Sequence, residues 1–242
     1  VGSRVRERRG KLGLTNSPSV WQFTGDPKGE NRTEISRGYG VRFKFTGHVL
    51  HGLAWGPDGK LYVSAGDRGA SVKTKEGGVI SVPDSGAVFR CNPDGTEMEM
   101  FASGLRNPQE LAFDEYGNLF TGDNDSDLGD HERWVYVVEG GDSGWRIGYQ
   151  NNPLDRAGAW NFEKLWVPAF DGQAAYIVPP VANILDGPSG LTYNPGVGFP
   201  AAFDKTFFLC FFKGTSARSA IQAYTTQPKG AGVKAILLTT TP

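Results

Sequence analysis

The chain has 242 residues, 38% of them apolar, with 34 glycines, 15 prolines and a formal net charge of −1. That length sustains a substantial core, and the glycine and proline content points to many turns and few long helices, so all-β is the expected class. With no one-signed run beyond RVRERR at 4–9, there is no electrostatic case for nucleic acid or a membrane surface, and the longest apolar run, FFLCFF at 207–212, is far short of the ~20 residues that cross a bilayer.

Taken in chain order, RVRERR reads as a solvated end. No apolar stretch with a small-residue cleavage site follows Val1, so a signal peptide is absent or already removed, and the chain is expected to be a mature form or a fragment. LAWGPDGKLYV (53–63) predicts a β-hairpin, its turn set by Pro57 and Gly59. GAVFRCNPDGTEMEMF (86–101) predicts a second hairpin in a different register. LAFDEYGNLFT (111–121) then repeats the first hairpin 58 residues on. Residues 146–188 lose alternation and are rich in Pro, Gly and aromatics, which reads as a long functional loop or insertion. SGLTYNPG (189–196), continuing into TFFLCFF, is a weaker third copy. Cys91 and Cys210 form no metal or redox motif, and no C-x-x-C-H haem-attachment sequence occurs.

Repeats of about 40 to 50 residues, each giving several short strands, predict propeller blades. At that size the chain supplies four or five blades in one domain spanning 1–242, with the insertion at about 146–188. A β-sandwich gives similar strand and turn spacing and is the alternative.

The polar residues fall at matching places on the repeat. About a turn centred on Pro57 and Asp58, facing residues have numbers summing to 115, and His48 and Asp67 satisfy that sum. The same rule in the second copy makes Arg106 face Asp125 and Asn107 face Asn124. A histidine oriented by a carboxylate is a candidate general base, and an adjacent arginine would stabilise an anion. Equally, His48 could cap a turn and Asp67 could accept backbone N–H groups in Gly66-Asp67-Arg68-Gly69. TGDNDSDLGDHE (121–132) concentrates oxygen donors suited to Ca²⁺, or is a solvated acidic turn. His51 and His131 are expected in packing or surface roles.

Taken in order, GHVLHGLAWGPDGKLYVSAGDRG, SGLRNPQELAFDEYGNLFTGDNDSD, EGGDSGW, and GPSGLTYNPGVGFP followed by FFLCFFKG resemble the soluble quinoprotein glucose/sorbosone dehydrogenase family. The resemblance is strongest to its divergent bacterial branch, often fused to haem domains. It covers roughly residues 40 to 215 and implies a six-bladed β-propeller, here incomplete at four to five blades, that binds pyrroloquinoline quinone (PQQ) and Ca²⁺. It further implies that His48 is the catalytic base, Asp67 its orienting acid, and Arg106 and Asn107 the residues holding the quinone's reactive oxygens. Gln109 lies in the same motif, and Lys213 matches a lysine on the cofactor's carboxylate side. The calcium donors implied are Asn124, Asp125 and Ser126, in a turn more acidic than the family's.

The expected activity is oxidation of a sugar or other alcohol by hydride transfer to the quinone, with a cytochrome-type electron acceptor as partner. The expected compartment is periplasmic or extracellular. Gly47 stands where sugar dehydrogenases carry a polar substrate contact, which points away from glucose. The cofactor-pocket arginines of later blades would lie beyond Pro242. The rival expectation is a non-catalytic propeller that binds carbohydrate or protein, with Trp160 and Trp166 available to stack on sugar rings.

Overall fold

The computed structural model describes residues 5–8, 10–25, 30–40, 47–125, 131–149, 178–184 and 187–241. Most of the insertion expected at 146–188, with Trp160 and Trp166, lies outside them. The chain divides into two compact units, one formed by Val1–Pro108 with Glu139–Gly148 and the other by Gln109–Val138 with Tyr149–Pro242.

The first unit opens with a four-stranded antiparallel meander: β1 (Val5–Arg8), β2 (Lys11–Asn16), β3 (Ser19–Thr24) and β4 (Arg32–Arg37). Its first strand draws on RVRERR, and the strand residues Val5–Arg8 are exposed or half-buried. Arg8 lies over Trp55, 5.6 Å from the ring centroid, and bonds the Gly56 carbonyl at 3.2 Å, so its stem packs while its charge stays near water. The second sheet contains β5 (Leu50–Trp55), β6 (Leu61–Ala65), β9 (Gly86–Cys91) and β10 (Glu99–Leu105), in the order β10-β9-β6-β5. Between β6 and β9 a small hairpin forms from β7 (Ala70–Lys73) and β8 (Val79–Val82).

Every residue of β6 is buried, as in a strand covered on both faces. Leu53, Leu61, Val63 and Phe89 of the second sheet form one core with Val20 and Ile35 of the first. Burying each such side chain fully contributes roughly 1.5–3 kcal/mol. Tyr39 fills the same core edge-on to Phe89, with ring centroids 5.2 Å apart and its hydroxyl 2.9 Å from Ser36 Oγ. Burial holds that phenol well above its ordinary pKa.

The second unit carries two four-stranded meanders. One is β11 (Leu111–Phe113), β12 (Leu119–Asp123), β13 (Glu132–Val137) and β14 (Ala182–Ile184). The other is β15 (Pro188–Asn194), β16 (Thr206–Phe211), β17 (Ala220–Lys229) and β18 (Gly232–Thr241). The sheets meet through an aromatic core in which Phe207 lies 4.7 Å from Phe120 and 5.1 Å from Trp134, ring centroid to centroid. Meanders of this kind are the repeating unit of propellers.

The hairpins expected at 53–63, 86–101 and 111–121 all form, as does the pairing of the third copy with TFFLCFF. Among the described residues, no helix is long and apolar enough to cross a membrane.

Candidate active site

The first hairpin brings His48 to Asp67 by a route with two compensating steps. Next to the turn, where Gly59 takes φ +84°, facing residues sum to 116, as in Leu53 with Val63. A bulge between Leu50 and Leu53 absorbs one residue, and Leu50 faces Ala65 at the sum of 115. The chains remain paired beyond the strands, with Gly66 N–H donating to Val49 O and Arg68 N–H to His48 O. His48 Nδ1 consequently lies 2.9 Å from Asp67 Oδ1.

Asp67 is fully buried, and its second oxygen accepts the indole N–H of Trp145 at 3.0 Å. Both carboxylate oxygens therefore have nitrogen donors. Trp145 reaches this place because residues 140–145 run beside β10. Gly140 N–H donates to Phe101 O, Ser103 N–H to Gly141 O, Ser143 N–H to Ser103 O and Trp145 N–H to Gly104 O, all within 3.0 Å. Gly104, at φ +75°, has no room for a side chain against the backbone of Ser143 and Gly144. Asp142 fastens the same segment by accepting Gly144 N–H and pairing with Arg146.

Arg106 and Asn107 follow β10 directly, and both are buried. The Arg106 carbonyl accepts the Asp67 N–H at 2.7 Å, while its guanidinium carbon stands 5.7 Å from the Trp145 ring centroid. Asn107 closes on Gly66, where an added Cβ would meet its Oδ1 at 2.9 Å and the His48 carbonyl carbon at 2.9 Å. Ser64 locks this turn from below, donating to Pro108 O and accepting Gly52 N–H. His48, Asp67, Arg106 and Asn107, inferred separately from the sequence, are thus tied by bonds and contacts within one unit. Trp145 was not among them. Its only sequence signal is its place in EGGDSGW.

The remaining inferred residues belong to the second unit. Gln109 donates through Nε2 to Asn124 Oδ1 at 3.5 Å, and its backbone N–H donates to Gly122 O. The Asp125 N–H donates to Glu132 at 2.6 Å, and Gly187 N–H donates to the other oxygen of that carboxyl at 2.9 Å. Burial pushes the Glu132 carboxyl up to about 7, with the nearby Asp125 charge acting in the same direction against the two N–H donors. Asp123 is paired with Arg133. Lys213 donates its backbone N–H to Ser219 Oγ. Ser126, like Asp127 and Asp130, lies outside the described residues. The expected facing of Arg106 with Asp125, and of Asn107 with Asn124, would join one unit to the other. His51 is buried in the β5 bulge, and His131 is exposed.

An ortho-quinone presents ring oxygens to N–H donors and anionic groups to cations, and the buried guanidinium of Arg106 and carboxamide of Asn107 form a donor set that fits it. For a cation, Asp123 and Glu132 are already engaged by protein donors, and no group of three or more His, Cys, Asp or Glu gathers among the described residues.

A family profile described as a domain of unknown function (DUF7133) matches residues 14–160. No curated protein matches the chain. Among solved structures, it is similar to the PQQ-bound form of aldose sugar dehydrogenase from Streptomyces coelicolor at 20% identity and a TM-score of 0.56, covering 94% of this chain and 61% of that one. It is also similar to a Trichoderma reesei protein of Carbohydrate-Active Enzymes Family AA12 at 14% identity and a TM-score of 0.55, covering 98% of this chain and 70% of that one. The chain thus spans less than two thirds of the length of the Streptomyces enzyme. At these identities the likeness shows the fold, an all-β propeller.

Proposed function

The chain belongs to the DUF7133 family, and on that premise we propose that it is a PQQ- and calcium-dependent dehydrogenase that oxidises a sugar or another alcohol. The observation that carries this reading is the contact between His48 Nδ1 and Oδ1 of the fully buried Asp67. An ionised Asp67 can only accept, so Nδ1 holds the ring proton and Nε2 carries the lone pair. That tautomer is the one a general base needs. His48 takes the hydroxyl proton of the alcohol at Nε2, and Asp67 stabilises the resulting imidazolium.

When bound, PQQ supplies the acceptor for the hydride leaving the alcohol carbon. Arg106 and Asn107 are the residues proposed to hold its oxygens, with Gln109 alongside them and Lys213 on its carboxylate side. Asn124, Asp125 and Ser126 are the proposed calcium donors. Gly47, at φ +81°, offers no side chain next to the base, which favours an alcohol other than glucose. A cytochrome-type acceptor and a periplasmic or extracellular setting complete the proposal.

The test is titration of the chain with PQQ in the presence of Ca²⁺, followed by calorimetry and quinone absorbance, then dye reduction with a panel of aldoses and alcohols. Saturable quinone binding and substrate-dependent reduction that His48→Gln abolishes are expected. Failure of the quinone to bind overturns the reading. Strong binding on a glycan array without any quinone would establish the non-catalytic propeller instead.

A further inference from the structure

We propose that Trp145 is a positioning residue that holds Asp67 in the orientation His48 requires and joins this pair to Arg106. The proposal rests on the reading of His48 as a base and adds to it the element that fixes the base's tautomer.

A carboxylate on a short side chain can turn about its terminal torsion, exchanging the oxygen it shows to a neighbour. In this site that freedom is removed from both sides. Oδ1 meets His48 Nδ1 at 2.9 Å, and Oδ2 meets Trp145 Nε1 at 3.0 Å. Asp67 has no exposure to solvent, so water is not available at the carboxylate to take over from the indole.

The indole is itself fixed. Its backbone N–H donates to Gly104 O at 2.9 Å, and Arg146 next to it is held by Asp142 and Asp84. The face of the same ring lies 5.7 Å from the guanidinium carbon of Arg106, whose carbonyl accepts the Asp67 N–H. One side chain therefore touches the orienting acid through its edge and the neighbouring cation through its face. A phenylalanine here would keep an aromatic face but lose the indole N–H donor.

The test reads the histidine ring directly, without quinone. In the ¹⁵N-labelled apo chain at alkaline pH, His48 is expected to show a protonated Nδ1 and a bare Nε2. His48→Gln identifies its signals among the three histidines. In Trp145→Phe the two nitrogens are expected to move toward each other as the Nε2-protonated form becomes populated, while Trp55→Phe leaves them in place. With activity in hand, Trp145→Phe is expected to lower kcat, leave KM nearly unchanged and move the acid limb of the pH profile.

If Trp145→Phe does not fold, the wild-type chain still decides the matter. The Trp145 indole proton should exchange slowly with solvent and shift in Asp67→Asn. An unchanged His48 tautomer in folded Trp145→Phe, or an indole proton exchanging at the solvent rate, overturns the proposal and leaves the base reading standing. A wild-type His48 that already mixes its tautomers overturns the base reading, and the proposal with it.

Discussion

His48 and Asp67 meet across the end of the first hairpin, Nδ1 to Oδ1 at 2.9 Å, with the acid fully buried and the imidazole partly open to solvent. A carboxylate in that position accepts from the ring and never donates to it, whereas an amide can do either. Asp67→Asn is therefore expected to lower kcat/KM by about 10³-fold or more through the wrong tautomer, with little change in fold. Asp67→Ala removes both acceptor oxygens and leaves the Trp145 donor buried without them, for about 1–3 kcal/mol of lost stability. Dye-reduction kinetics of the reconstituted protein and urea unfolding of the apo chain check the two outcomes separately.

Gly66 stands where the site is tightest. A Cβ there would come within 2.9 Å of Asn107 Oδ1 and within 3.0 Å of the His48 Cα. The carboxamide can swing aside, but the His48 backbone is fixed by its bond to Arg68 N–H. Gly66→Ala is expected to cost about 1–3 kcal/mol, the range for overpacking a close contact, and to displace His48 from Asp67. Urea unfolding measures the first effect. The His48 ring nitrogen shifts measure the second.

How much of this was legible in the sequence depended on how local the cause is. The hairpins were readable because a two-residue period flanks turns marked by glycine, proline and aspartate. The meeting of His48 with Asp67 was readable too, although the register reaches it differently: Gly59 adds a residue to the turn and the bulge in β5 takes it back. The first meander was not readable. Its Arg8 looks like solvated charge in sequence and packs over Trp55 only because a later hairpin places that ring there. Trp145 was hidden for the same reason, since residues 140–145 find β10 across about 40 residues of chain. The acidic run at 121–132 promised carboxylates for a cation, yet Asp123 and Glu132 are engaged by Arg133 and by backbone donors.

The two cysteines are expected to differ sharply in reactivity. Burial pushes the Cys91 thiol up to about 12, and the nearby Asp94 charge acts in the same direction. Cys210 is raised by burial as well, but it is less enclosed. Only the thiolate alkylates, and a higher pKa leaves less of it at pH 8. With iodoacetamide at pH 8, Cys91 should label at least about 100-fold more slowly than a free thiol, and Cys210 should label first. Peptide mass spectrometry with and without denaturant checks this. Rapid labelling of Cys91 in the folded chain would contradict it.

Arg106 performs two tasks that substitution can separate. Its carbonyl accepts the Asp67 N–H and helps to place the acid, which any residue at that position can do. Its guanidinium lies over Trp145 and supplies the planar, permanently charged donor proposed for the quinone. Arg106→Lys keeps the charge and the backbone bond but loses the planar fork and much of the stacking. It is expected to weaken quinone binding by about 10- to 100-fold, the equivalent of one or two charge-assisted hydrogen bonds, while the His48 tautomer in the apo chain stays unchanged. Arg106→Leu, which also removes the charge, should weaken binding further. Titration followed by quinone absorbance measures the affinities, and the histidine ring shifts report the acid and base. If both variants bind quinone as tightly as the wild type, Arg106 does not hold the cofactor, whatever role His48 has.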